Sequence, residues 1–110
     1  MVRVEILKDQ EDNILAFRVE GHADYEDEGQ DIICAGISAI TQTALVGLLK
    51  YMENKPVYKR DKGILACSMK PKTGPEDLAK AQIILGTMEM GLQEIEHQYK
   101  EFIELYIRRC

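Results

Sequence analysis

A long apolar segment occupies residues 33–52, and its apolar side chains recur at three- and four-residue steps. That spacing is typical of an α-helix, and the apolar stripe is wide enough that most sides of the helix should be covered by other elements. The stripe consists of Ile33, Ile37, Ile40, Ala44, Leu45, Leu48, Leu49 and Met52. A helix of this kind predicts a layered fold in which it packs on a sheet.

Two pairs of strands are predicted, one on each side of the apolar helix. Apolar and polar residues alternate over residues 2–6 and again over residues 15–19, with a short polar turn between the two runs. Such a pattern indicates an antiparallel hairpin. Residues 57–60 and 64–70 flank the tripeptide Asp-Lys-Gly, which predicts a second hairpin with a glycine in its turn.

The last third of the chain begins with a second helix. Proline suits the first helical position and acids suit the first turn, so Pro75 and the two acids after it predict a helix start. The tail either extends this helix or, because residues 103–107 alternate, forms a short closing strand after Lys100, which we favour. The predicted fold class is α+β, one domain over residues 1–110, with the order β-β-α-β-β-α-β and both helices on one face of a mostly antiparallel sheet.

Composition and charge restrict the partners. The net charge is −5, and no stripe of clustered lysine and arginine is present, so we expect no direct binding to nucleic acid. We expect neither a membrane-spanning segment nor a signal peptide. Three widely spaced cysteines without a Cys-x-x-Cys pair predict reduced thiols in the cytoplasm. No zinc or phosphate-loop pattern occurs, so we expect no metal and no cofactor.

His22 and Cys34 lie twelve residues apart, between the first hairpin and the apolar helix. The start of a helix favours a thiolate, and an imidazole can accept the proton of a thiol. Asp31 is the best N-cap, which would make Cys34 the third helical residue. As residue types alone, such a pair is more often a surface histidine and a core cysteine, because a catalytic pair is recognised by geometry and not by spacing. Their context makes the two explanations about even, since active sites are often built where a strand ends and a helix begins.

The remaining cysteines and the other histidine have ordinary explanations. Cys67 shares a strand face with Leu65 and Met69, which predicts a small core residue. Cys110 ends the given sequence and should be exposed. His97 lies near the end of the second helix, where a cation is favourable, and it has no partners at metal-ligand spacing.

Two segments of the sequence resemble a known family. They are Gly-His-Ala at residues 21–23 and Gly-Gln-Asp-Ile-Ile-Cys-Ala-Gly-Ile-Ser-Ala-Ile at residues 29–40. Together they are similar to the ribosomal-processing cysteine protease family, Prp, and the similarity covers essentially the whole chain. The resemblance implies that His22 is the catalytic histidine and Cys34 the nucleophile. It also implies a homodimer that removes the short N-terminal extension of bacterial large-subunit ribosomal protein twenty-seven, after a pair of phenylalanines.

The chemistry that this resemblance implies is acyl transfer. Cys34 would attack the scissile carbonyl and His22 would protonate the leaving amine, while free N–H groups at the start of the Cys34 helix would bind the oxyanion. Asp31 either orients His22 or only caps the helix, and as an anion it would oppose the thiolate. Ser38, one turn after Cys34, either hydrogen-bonds to it or bonds back to its own helix.

The segment between the two candidate residues is acidic and has no apolar period over residues 24–30, which predicts a loop. It carries the carboxylates of Asp24, Glu26, Asp27 and Glu28. One interpretation is a solvated loop. The other is that these charges attract the lysine-rich substrate that the family resemblance implies.

Two further functions remain compatible with the sequence. One is a non-catalytic ribosome-assembly or peptide-binding module that has kept the pocket. The other is a thiol redox sensor built on Cys34. A sensor normally has a resolving cysteine close to the reactive one, and Cys67, on a core-facing strand position, is poorly suited to that role.

Overall fold

In the computed structural model, the backbone is described for residues 1–21 and 28–110, and the side chains for residues 1–21 and 32–110. This part of the chain has the predicted order β-β-α-β-β-α-β, and the tail is a strand as predicted. The elements are β1 Val2–Lys8, β2 Ile14–Glu20, α1 Glu28–Tyr51, β3 Val57–Asp61, β4 Ile64–Ser68, α2 Pro75–Tyr99 and β5 Ile103–Arg109.

The strands form one sheet in the order β3-β4-β2-β1-β5. Three neighbouring pairs are antiparallel, and β5 lies parallel to β1, so the sheet is mixed but mostly antiparallel. The second hairpin joins the first because β4 pairs with β2, which places Ile64 opposite Glu20. This register brings the turn between β3 and β4 to the end of β2, where Gly21 follows.

The core lies between the sheet and the two helices. Alternate strand residues point into it, as the period of two requires, and each helix contributes its apolar stripe. Burial of each large apolar side chain contributes roughly 1.5–3 kcal/mol. The largest fully buried apolar side chains are Val2, Val4, Ile6, Ile37, Leu45, Leu48, Met52, Leu85 and Leu92.

The first helix begins earlier than predicted. It starts at Glu28, so Asp31 is its fourth residue and not its N-cap, and Cys34 is its seventh residue and not its third. The prediction of a loop over residues 24–30 is therefore wrong for its last three residues. Residues 28–30 are Glu-Gly-Gln and have no apolar side chain, so no apolar periodicity marks them as helical. An acidic residue is nevertheless favourable in the first turn of a helix.

Both helices expose apolar side chains on their outer faces, so the prediction that α1 is covered on most sides is wrong. Ile32 and Val46 of α1 are 68% and 59% exposed, and Ile83 of α2 is 73% exposed. Residues Ile32–Tyr51, with a mean hydropathy of 1.9, are also long and apolar enough to span a membrane, contrary to our expectation. This criterion considers only length and composition. A helix that packs on a sheet and on a second helix can meet it as well.

Asp77 joins the end of α1 to the start of α2. Its carboxylate accepts hydrogen bonds from the backbone N–H groups of Asn54 at 2.8 Å and Glu53 at 3.0 Å. These two hydrogen bonds, that from Asn54 first, hold the pKa of the Asp77 carboxyl below its ordinary value. The acid in the first turn of α2 therefore also satisfies backbone donors just beyond α1.

Candidate active site

Gly21 fixes the backbone directly before His22. It has φ +114°, and its N–H donates to the Gly63 carbonyl at 3.1 Å. A Cβ at Gly21 would lie 2.7 Å from the carbonyl oxygen of Met1 and 3.2 Å from the Cα of Val2. Both the dihedral angle and the space therefore require glycine here.

A cavity of about 230 Å³ brings Gly21 and Cys34 together. It lies among the end of β2, the turn between β3 and β4, and one side of α1. The residues that line it are Val2, Val19, Gly21, Cys34, Ser38, Thr41, Gln42, Arg60, Asp61, Gly63, Ile64 and Leu65. Cys34, the candidate nucleophile, thus lines the same cavity as Gly21, the residue before His22. Gly21 follows β2 and Cys34 lies in α1.

Cys34, Ser38 and Gln42 follow one another at four-residue steps along α1, so they lie on one side of the helix. The Ser38 hydroxyl oxygen accepts a hydrogen bond from Gln42 Nε2 at 2.7 Å. By contrast, the buried Thr41 hydroxyl bonds back to the Ile37 carbonyl at 2.9 Å. Among the described residues, the Ser38 hydroxyl makes no hydrogen bond to the carbonyl or to the sulfur of Cys34, so neither contact predicted between Ser38 and Cys34 is present.

The three cysteines are free thiols in different environments. Cys34 is half-buried at the cavity, Cys67 is buried in β4, and Cys110 is exposed. Burial raises the pKa of the Cys67 thiol to about 11. The core position predicted for Cys67 is confirmed, and a buried neutral thiol of this kind is a poor resolving cysteine for a redox sensor.

The helix α1 begins too far before Cys34 for the oxyanion site that was predicted from the sequence. The N–H groups without an intrahelical partner belong to the first four residues of a helix, and here α1 begins at Glu28. Cys34 lies one turn beyond that set, so its own N–H belongs to the helical hydrogen-bond ladder. The prediction that Cys34 lies among the free donors is therefore wrong.

Several of the predicted site residues lie outside the residues that the structure describes. His22, Asp24, Glu26 and Asp27 are outside the described residues, and so are the side chains of Glu28 and Asp31. Within the described ranges, no group of three His, Cys, Asp or Glu side chains is placed to hold a metal. His97, also described, is exposed near the end of α2.

Sequence reasoning missed Gln42, Arg60 and Asp61, which also line the cavity. The signal for Gln42 was present, since it continues the four-residue step from Cys34 through Ser38. Arg60 and Asp61 reach the cavity only because β4 pairs with β2 in the observed register. The sequence pattern alone does not specify that pairing.

Comparison with known proteins gives consistent results. The family model described as cysteine protease Prp matches residues 1–104. The ribosomal processing cysteine protease Prp of Staphylococcus aureus is 34% identical over 108 residues, covering 96% of this chain and 97% of that protein. Its crystal structure with a substrate peptide has a TM-score of 0.85, 29% identity, and coverage of 98% and 100% of the two chains. The crystal structure with a covalently linked product peptide has a TM-score of 0.83, 31% identity and the same coverage.

Proposed function

The chain belongs to the cysteine protease Prp family, and we propose that it removes the short N-terminal extension of bacterial large-subunit ribosomal protein twenty-seven in the cytoplasm, cutting after a Phe-Phe pair. The observation that carries this proposal is the cavity shared by Cys34 and Gly21, the residue next to His22. The crystal structure of the Staphylococcus aureus relative contains a covalently linked product peptide, which fits a nucleophilic mechanism.

The mechanism that we propose uses a His22–Cys34 dyad. The Cys34 sulfur attacks the scissile carbonyl carbon, the C–N bond breaks, and His22 gives its proton to the leaving amine. Water then attacks the thioester with His22 as the base, which releases the new carboxylate and restores the thiol. We assign Asp31 to the orientation of His22, and Ser38 lines the cavity beside Cys34. No step uses a metal or a cofactor.

Mass spectrometry of a peptide that spans the extension junction tests this function. The wild-type protein should cut after the second phenylalanine, and Cys34→Ala should leave the peptide intact. An intact peptide that still binds to the wild-type protein would favour the peptide-binding alternative. Cleavage at another bond would support protease activity but would contradict the proposed substrate and its cleavage site.

We further propose that Asp24, Glu26, Asp27 and Glu28 attract a lysine-rich segment of the substrate. Charged groups steer encounter, and salt screens the effect over about 8 Å at physiological ionic strength. Replacement of the four acids by their amides should lower kcat/KM about tenfold at low salt. Because these charges are not proposed to contact the transition state, kcat should change little.

A variant with the same change in net charge provides the control for this experiment. It replaces four exposed acids elsewhere by glutamine: Glu11, Glu53, Glu94 and Glu101. This control should keep the wild-type kcat/KM and its decline with salt. If the wild-type protein cleaves with equal efficiency at low and high salt, the steering proposal is wrong.

A homodimer is the assembly that we propose, with the outer faces of α1 and α2 as its interface. A groove of about 630 Å³ runs between the helices there, and none of the described residues that line it is charged. A two-fold interface sets a patch against its own copy, so an uncharged patch meets itself without repulsion. The lining residues are Ala39, Ile40, Thr43, Ala44, Gly47, Ile83, Ile84, Thr87, Met88 and Gly91.

Introduction of a charge into this groove should break the dimer. Ile83 is 73% exposed, so Ile83→Asp leaves the core of each protomer intact while it buries two carboxylates in the proposed interface. Sedimentation velocity should give a dimer for the wild-type protein and a monomer for this variant. Val57→Asp is the control, because Val57 is also exposed, at 58%, but lies on β3 away from the groove. A wild-type monomer, or a dimer that survives Ile83→Asp, would contradict this interface.

A further inference from the structure

The strand β3 lies at one edge of the sheet, and its outer side has no partner among the residues that the structure describes. The sheet order places β4 on its other side, and within residues 1–21 and 28–110 β3 pairs with β4 alone. All five residues of Val57–Asp61 are exposed. Because the backbone groups on the free side of an edge strand have no ladder partner, such a strand is a template for another extended chain.

The register of the second hairpin determines which backbone groups of β3 face outward. Asp61 pairs with Ile64 across a two-residue turn, and the residues that flank such a turn form a hydrogen-bonded pair. Hydrogen-bonded and non-hydrogen-bonded pairs alternate along an antiparallel ladder, so Tyr58 and Arg60 belong to pairs of the second kind. Each of these two residues therefore directs its backbone N–H and C=O away from β4, towards the free edge.

The free edge of β3 leads to the candidate active site. Arg60 and Asp61, the last two residues of the strand, line the cavity that Cys34 also lines. The strand at the opposite edge of the sheet, β5, is described throughout and contributes no residue to this lining. A chain that pairs with β3 and continues past Arg60 therefore enters the cavity beside Cys34.

The charge of β3 and its turn restricts which chain can occupy this edge. Lys59, Arg60 and Lys62 are exposed, and Asp61 is the one acid within residues 58–62. A second copy of β3 would set these cations opposite one another, and like charges on paired strands are destabilising. The lysine-rich segment that we propose for the substrate after the cut is repelled in the same way. The residues before the cut are therefore the segment that β3 accepts.

We propose that β3 binds the N-terminal extension of the substrate as an added strand and guides it into the cavity. The extension precedes the scissile bond, so it runs towards Arg60 in the direction of β3, and the pairing is parallel. Main-chain hydrogen bonds then supply affinity in the same way as for other peptides that extend a sheet. This inference rests on the proposed function, because it assigns a docking surface to the substrate of that reaction.

A scan of backbone N-methylation in the extension tests the added strand. Each variant of the junction peptide carries one N-methyl group before the scissile bond, and its binding to the Cys34→Ala protein is measured by calorimetry. In a parallel pair, every second residue of the peptide donates its N–H to the neighbouring strand. We expect N-methylation to weaken binding about fivefold at every second residue of the paired segment and to change it little at the residues between.

A proline in β3 tests the same hydrogen bonds from the side of the protein. Tyr58→Pro removes an N–H that faces outward, a position at which an edge strand tolerates proline. Tyr58→Ala is the matched control, because it removes the side chain and keeps the N–H. In the Cys34→Ala background, we expect the proline variant to bind the unmodified peptide about fivefold more weakly than the alanine variant. Thermal unfolding checks that both variants are folded.

Binding and cleavage are measured separately, so each can fail alone. Binding that is insensitive to every N-methyl group, equal binding by folded Tyr58→Pro and Tyr58→Ala, or no binding of the unmodified peptide would overturn the added strand. Cleavage of the unmodified peptide by the wild-type protein would support the proposed proteolysis whatever the binding pattern. An alternating pattern with a peptide that the wild-type protein leaves intact would sustain binding at β3 and refute the proteolysis.

Discussion

Replacement of Cys34 by serine is expected to lower kcat/KM for the junction peptide by about four orders of magnitude or more. A serine hydroxyl does not form an anion readily at neutral pH, and only one imidazole is available as its base. His22→Ala should cause a loss of the same order while substrate still binds, because the imidazole moves protons and is not proposed to hold the peptide. Peptide cleavage followed by chromatography, together with a binding measurement, checks both expectations.

Selective alkylation supplies the control for that loss. At neutral pH an alkylating reagent should label Cys34 faster than a free peptide thiol, and loss of cleavage should follow the labelling. Cys67 is the internal reference, because it is 2% exposed and burial raises the pKa of its thiol to about 11. Equal labelling of Cys34 and Cys67, or a Cys34→Ser variant that keeps wild-type turnover, would contradict the assignment of the nucleophile.

The elements that could be predicted from the sequence are those whose side chains pack. Alternation in β1 and β2, the wide stripe of α1 and the proline at the start of α2 each reflect a local physical requirement, and all appear in the structure. The closing strand β5 was also predictable, although its partner was not. Its parallel pairing with β1 is a contact between the two ends of the given chain, which no local pattern encodes.

The surroundings of Cys34 could not be predicted from the sequence. The segment 28–30 lacks apolar side chains, so the sequence pattern placed the start of α1 too late and the helix-start donors too close to Cys34. The β3–β4 turn lies beside the end of β2 because of strand register, which depends on packing across the whole sheet. The position of Arg60 and Asp61 in the cavity lining therefore could not be predicted from the sequence.

The backbone at Gly21 leads to the second large expected effect. Gly21→Ala places a Cβ 2.7 Å from the Met1 carbonyl oxygen, in a backbone with φ +114° that L-residues rarely adopt. Strain of this kind costs on the order of 1–3 kcal/mol, so the free energy of unfolding in urea should fall by about that amount. The backbone must also shift at the residue before His22. A displacement of a catalytic group by about 1 Å can cost on the order of 10²-fold in rate, and kcat/KM should fall accordingly under conditions where the variant is folded.

Gly86→Ala is the matched control for this substitution. Gly86 lies within α2, and a Cβ there would meet nothing within 4 Å. Because alanine is the better helix former by about 1 kcal/mol, this variant should unfold at the same or a higher urea concentration and cleave at the wild-type rate. The hydrogen bond from the Gly21 N–H to the Gly63 carbonyl anchors the chain just before His22. If Gly21→Ala cleaved as well as Gly86→Ala, the anchored backbone at Gly21 would not be what positions His22 against Cys34.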